Sequence, residues 1–314
     1  MNKMRQNIIL AVLLLVCMTA AGCGAKAAEA FEAFGQPYTW GCIPEQAALN
    51  IKNDTALQTP PAERSVVEDE TLPLVLSETE RLAAMEAYGI EEGSNAALAL
   101  EKLNDVYAKQ LSESQWTRPL IFFFEGAGSE PNPSQRRNAL CVVVRNGRIV
   151  YLNQNSTTIP DYPFVPRKND GRDVPTLKSG IYSFDTVNHN GQYAALRVLD
   201  DQVVRFHTPT EFYADVSYKQ SIEIHRRVID EVSPADENWG SSVGCLLVGD
   251  ASTDPAGTYA GFVQAVGVVP SGASGGSRYR TQVTGTVIVD RSFGVEYLRA
   301  VGYPDEGIEM INGG

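Results

Sequence analysis

The sequence predicts a mainly-β domain, a sandwich or barrel, preceded by a small helical segment. Three observations carry that expectation. The apolar pattern has helical spacing before Pro119 and strand spacing after it. Two β-rich runs flank Asn146-Gly147, the strongest short-range hairpin signal. No internal repeat is visible, so the later strands are assigned to one core of about 150 residues, an ordinary size for a single domain.

The 314 residues are 43% hydrophobic and 20% charged, a composition typical of soluble globular chains. The net charge is −12 and no basic stretch occurs. This argues against a nucleic-acid partner, which needs Lys and Arg to displace counterions. There are three histidines, His189, His207 and His225.

The N-terminus reads as a secretion signal, residues 1–23. Lys3 and Arg5 precede an apolar run from Ile8 to Val16, too short to span a bilayer comfortably. Thr19-Ala20-Ala21-Gly22-Cys23 resembles a bacterial lipobox, with Ala20 where Leu is usual. In that reading Cys23 is lipidated and anchors the protein to the membrane at the cell envelope, outside the cytoplasm. Ordinary cleavage after Ala28-Glu29-Ala30 is the alternative. Residues 24–75, rich in Ala, Glu, Thr and Pro, are expected to form a tether. Phe31, Phe34, Tyr38 and Trp40 are more aromatics than a pure linker carries. Outside the cytoplasm Cys42 and Cys141 can pair, or Cys141 can be a buried free thiol.

Residues 76–115 are read as a helical hairpin. Ser77 with Glu80 forms a capping box, Leu82, Met85 and Tyr88 follow on one face, and Gly89 suits the stop. A second helix is expected from about Ser94 to Leu111, with an apolar stripe of Leu100, Leu103, Val106, Tyr107 and Leu111. Residues 118–269 are read as the main domain. Its strands are Leu120 to Phe124, Ala139 to Arg145, Arg148 to Leu152, Gly180 to Val187, Tyr193 to Leu199, Gln202 to His207, Ser221 to His225 and Val243 to Val248. A helix is expected from Ala256 to Val266. Residues 270–314 are read as an extension packing on that domain, with a strand from Thr284 to Asp290 and a short helix from Val295 to Val301.

The chemistry is sought between Ser221 and Val248. His225 ends one strand and Cys245 lies near the start of the next. Paired strands can bring these groups together, and a Cys beside a His is an activated nucleophile. Gly244 permits a tight backbone, so that its N–H and that of Cys245 can serve an oxyanion. Ser242 can orient the imidazole or bind substrate. Arg226 can favour a thiolate or hold a substrate carboxylate. The loop from Arg227 to Ser241, with Trp239, is long enough for a lid. Taken singly, Cys245 is a core residue by default and His225 a surface or hydrogen-bonded residue. As zinc ligands, His207, His225 and Cys245 match no compact spacing, and thiol chemistry requires neither metal nor cofactor.

Ile224-His225, followed twenty positions later by Cys245 in Ser242-x-Gly244-Cys245-Leu246, resembles the catalytic domain of the L,D-transpeptidase (YkuD-like) family. Arg145 to Asn155 resembles its first hairpin, and Ser179-Gly180-Ile181-Tyr182 its Pro-x-Gly-x-Phe/Tyr segment, with Lys178 in place of the Pro. The likeness covers roughly Pro119 to Gly267. The chain departs from the pattern at Arg226, where the family usually has Gly, and at Leu247, where it usually has Arg. The resemblance implies a divergent member, exported and lipid-anchored, acting on peptidoglycan stem peptides. Cys245 attacks the third residue's carbonyl, releases D-alanine and passes the thioester's acyl group to an amine. Two alternatives stay open: an L,D-carboxypeptidase with the same site, and a non-catalytic wall-binding lipoprotein of the same fold.

Overall fold

The structure, a computed structural model, describes residues 76–129, 138–164, 173–190, 193–215, 222–226, 242–248, 259–269 and 282–313. All of them belong to one compact unit. The expected signal peptide, the tether, Cys23, Cys42, the loop from Arg227 to Ser241 with Trp239, and the stretch from Pro270 to Ser277 lie outside the described residues.

The helices come first. Helix α1 is Glu78–Ala87, and Ser77 Oγ accepts the Glu80 N–H at 3.2 Å, as the capping signal predicted. Its inward stripe differs from the expectation. Leu82 is 51% exposed, whereas Ala84 and Met85 are buried and Arg81 lies along the same face, its guanidinium on Met85 Sδ and Glu78. Positions 81, 84, 85 and 88 follow the i, i+3, i+4, i+7 rule, and Leu82 falls about 100° off it. Helix α2, Asn95–Asp105, is capped by Ser94 and is followed by a 3₁₀ turn, Tyr107–Lys109, and by α3, Glu113–Trp116. Leu100, Leu103, Tyr107 and Leu111 are buried as expected.

Eleven strands follow among the described residues. They are β1 Leu120–Glu125, β2 Ala139–Arg145, β3 Arg148–Ser156, β4 Val174–Leu177, β5 Gly180–His189, β6 Tyr193–Leu199, β7 Val203–Thr208, β8 Glu211–Asp215, β9 Glu223–Arg226, β10 Leu246–Val248 and β11 Thr284–Asp290. Helix α4 is Tyr259–Val266, α5 is Val295–Ala300 and α6 is Asp305–Ile311.

Eight strands form one sheet in the order β10-β9-β6-β5-β11-β1-β2-β3. Its two ends meet. The Thr157 N–H donates to Leu247 O, and the Leu247 N–H to Thr157 O, both at 3.0 Å. The protein is therefore mainly β, with a nearly closed, barrel-like sheet and a few helices. The β2–β3 hairpin turns at Asn146 (φ 51°) and Gly147 (φ 72°), the left-handed pair that a two-residue turn requires.

β1 explains its own composition. Leu120, Phe122 and Phe124 pack with Leu100, Leu103 and Tyr107 of the helical segment. Ile121 and Phe123 point the other way, into a core with Val287, Val289 and Phe262. A strand covered on both faces reads as an unbroken apolar run. Cys141 is a free, fully buried thiol in that second core, the outcome read from its apolar run, and burial pushes its pKa up.

The stretch expected as an extension contributes a central strand. β11 lies between β5 and β1, parallel to β1. Helices α5 and α6 and the turn between them cover a separate three-stranded sheet, β4-β7-β8, through Leu298, Tyr303, Ile308 and Ile311 against Val204 and Phe206.

Candidate active site

β9 and β10 are neighbours and run parallel, with Leu246 level with Ile224 and Leu247 level with His225. Cys245, one residue ahead of β10, is thus carried beside the strand that bears His225. Strand alternation sorts the side chains. Ile222, Ile224, Leu246 and Val248 enter the core. Glu223, His225 and Leu247 belong to the opposite set.

The segment carrying the thiol is held from several sides. Ser242 is fully buried. Its N–H donates to Asp161 Oδ2 at 2.8 Å, and its carbonyl accepts the Asp161 N–H at 3.0 Å. Its hydroxyl donates to Cys245 O at 2.7 Å and accepts the Gly244 N–H at 3.1 Å. The sequence offered Ser242 as a partner of the imidazole or of substrate; the fold spends it on bracing the turn. The Gly244 N–H, expected to face an oxyanion, is given to that hydroxyl. Gly244 itself is demanded by geometry: φ is +132°, and an added Cβ would stand 2.7 Å from Pro175 O and 2.8 Å from Pro175 Cγ.

His225 is 3% exposed. Its Nδ1 lies 2.9 Å from Arg226 O. A carbonyl only accepts, so Nδ1 carries the proton and Nε2 presents a lone pair. Burial, and then the nearby His189, pull the pKa of His225 down to about 3, against the raising effect of its hydrogen bond to Arg226 O. The ring is neutral at neutral pH.

His189 was not singled out by the sequence. It ends β5, and its ring stacks on that of His225 with centroids 4.3 Å apart and planes inclined by 29°. Its Nδ1–H donates to Glu223 Oε2 at 2.6 Å, and the Asn190 amide lies 3.0 Å from its Nε2. Tyr193, at the start of β6, packs against His189 at 5.1 Å and lies under the Arg226 guanidinium at 4.3 Å. Burial pushes the Tyr193 phenol up to about 12; Arg226 acts against this, while the charges of Glu223 and Cys245 add to it. His189 and Arg226 therefore pack on Tyr193, and the charges of Glu223 and Cys245 act on it. In the sequence His189 falls past the expected end of its strand at Val187 and Tyr193 at the expected start of the next, with no signal that ties them together; what joins them to His225 is the adjacency of β5, β6 and β9.

His207 is elsewhere. It lies on β7 in the smaller sheet, where its Nδ1 is 2.9 Å from Asp173 Oδ1. Among the described residues no group of three His, Cys, Asp or Glu side chains is gathered to hold a metal ion. Leu247, where the resemblance leads one to expect Arg, is buried and held by the Thr157 bridge. No helix among the described residues is long and apolar enough to cross a membrane.

The chain matches no protein-family model, no curated protein and no solved structure.

Proposed function

We propose that this protein is a cysteine acyltransferase of the L,D-transpeptidase type, acting on peptidoglycan stem peptides. The observation that carries the reading is the parallel pairing of β9 with β10, which brings the Ser242–Cys245 turn alongside the strand that bears His225, a neutral imidazole whose Nδ1–H is bonded to Arg226 O and whose Nε2 carries the lone pair. The Ser-x-Gly-Cys motif and the preceding Ile-His supply the resemblance.

In this reading the Cys245 Sγ attacks the carbonyl carbon of the third stem residue while its proton passes to His225 Nε2. The tetrahedral intermediate collapses, the C–N bond to D-alanine breaks, and the departing amine takes the proton from His225. A thioester remains. An acceptor amine then attacks it and loses a proton to His225; the C–S bond breaks and Cys245 recovers its proton. Neither metal nor cofactor enters. Arg226 supplies the positive charge that Leu247 does not; that charge also acts to lower the His225 pKa, and a substrate carboxylate paired with it weakens the effect. Cys23 lipidation holds the enzyme at the cell envelope, beside its polymer.

The test is incubation of the protein with purified disaccharide-tetrapeptide and mass spectrometry of the products. Loss of D-alanine with cross-linked dimer supports transpeptidation. Loss of D-alanine without dimer replaces it with an L,D-carboxypeptidase. An unchanged substrate moves the assignment to a wall-peptide-binding lipoprotein.

A further inference from the structure

We infer that His189, held by Glu223 and Asn190, is a positioning residue for His225. The inference rests on the reading of His225 as the base for Cys245. Its starting point is that three adjacent strands send side chains to one place. His189 comes from the end of β5, Tyr193 from the start of β6, and Glu223 and His225 from β9.

A ring that only filled space here need not be polar. His189 is tied at both nitrogens: Nδ1 to the Glu223 carboxylate and Nε2 to the Asn190 amide. Asn190 takes up a left-handed φ of 47° directly after β5, which turns its side chain back toward the ring it follows. An imidazole held at both ends cannot rotate about its long axis. Tyr193 packs against it at 5.1 Å. The His225 ring lies on this fixed plate at 4.3 Å, while its own Nδ1–H is fastened to Arg226 O. The plate and the hydrogen bond together fix the direction of the Nε2 lone pair. Misplacing a catalytic group by about 1 Å can cost 10²-fold in rate, so a device that sets this direction has a measurable effect.

The pair also sets a charge balance. His189 and Glu223 are 22% and 21% exposed, whereas His225 is buried. Among the described residues Glu223, His225 and Tyr193 contact His189, and Arg226 lies over Tyr193. The nearby His189 helps to hold the pKa of His225 down.

The experiment follows alkylation of Cys245 in the full chain by iodoacetamide from pH 5 to 9, read on the Cys245-bearing peptide by mass spectrometry. It is paired with NMR titration of the His225 ring. His189→Ala removes the plate that orients the lone pair and is expected to slow alkylation about tenfold, part of the 10²–10⁴ that a positioned base contributes, even though loss of the influence of His189 raises the titration midpoint of His225. Glu223→Gln, which keeps the ring and an acceptor but removes the charge, is expected to give a smaller slowing and carries the test if His189→Ala does not fold. A wild-type rate in both variants overturns the proposal. So does a slowed rate with an unchanged His225 titration, because His189 then acts by another route. A wild-type rate in His225→Ala overturns instead the reading of His225 as base.

Discussion

Gly244 is where backbone geometry and chemistry meet. Its φ of +132° and the 2.7 Å approach of Pro175 O leave no room for a side chain. Gly244→Ala is expected to destabilise the protein by at least about 1–3 kcal/mol, the cost of a non-glycine residue in such a conformation, and to displace Cys245. Urea unfolding and Cys245 alkylation measure the two effects. His225 gives a second prediction at this scale. Its pKa is about 3 in the fold against an ordinary 6.5, so between those values the unfolded chain binds a proton that the folded chain does not. The stabilisation is present above pH 6.5 and is lost as pH falls toward 3, by up to about 5 kcal/mol. Urea midpoints across this range, compared with those of His225→Asn, isolate the contribution; parallel curves contradict it. The two strands that bring His225 and Cys245 into one neighbourhood were legible because motif and order are local. The His189–Glu223 plate was not, because it depends on which strands are neighbours.

At the scale of elements, the helical segment shows how a stripe is read and misread. Leu100 is fully buried between α2 and β1, while Leu82 on α1 is half exposed. Leu100→Ala is expected to cost about 2–5 kcal/mol, and Leu82→Ala less than about 0.5 kcal/mol, both measured by urea denaturation. Equal costs would contradict the packing described. The β2–β3 hairpin was legible because Asn146-Gly147 dictates its turn. Strands β4 and β8 were not. Pro175 removes a donor from β4 and argues against a strand anywhere but an edge, which is where β4 lies. β8 is the other edge of the same sheet, largely exposed, so its sequence carries no clean apolar alternation.

Across the whole unit, closure of the sheet and placement of the thiol are one event. The Thr157–Leu247 bridge that joins the sheet's ends lies two residues after Cys245, and Asp161 fastens Ser242 from the same connection. The mainly-β class was legible from periodicity. The position of β11 was not, since no local signal says that a late strand inserts between β5 and β1. A chain ending at Val269 lacks that central strand and is expected to lose cooperative folding, as read by circular dichroism melting. A melt like that of the full chain would mean that residues 270–314 are dispensable after all. The central claim, that Cys245 is an acyl-accepting nucleophile, is tested most directly by intact-protein mass spectrometry after brief exposure to disaccharide-tetrapeptide. The account predicts a mass increase matching the substrate less D-alanine, located on Cys245 and absent from Cys245→Ala. Release of D-alanine by Cys245→Ala at the wild-type rate would contradict it.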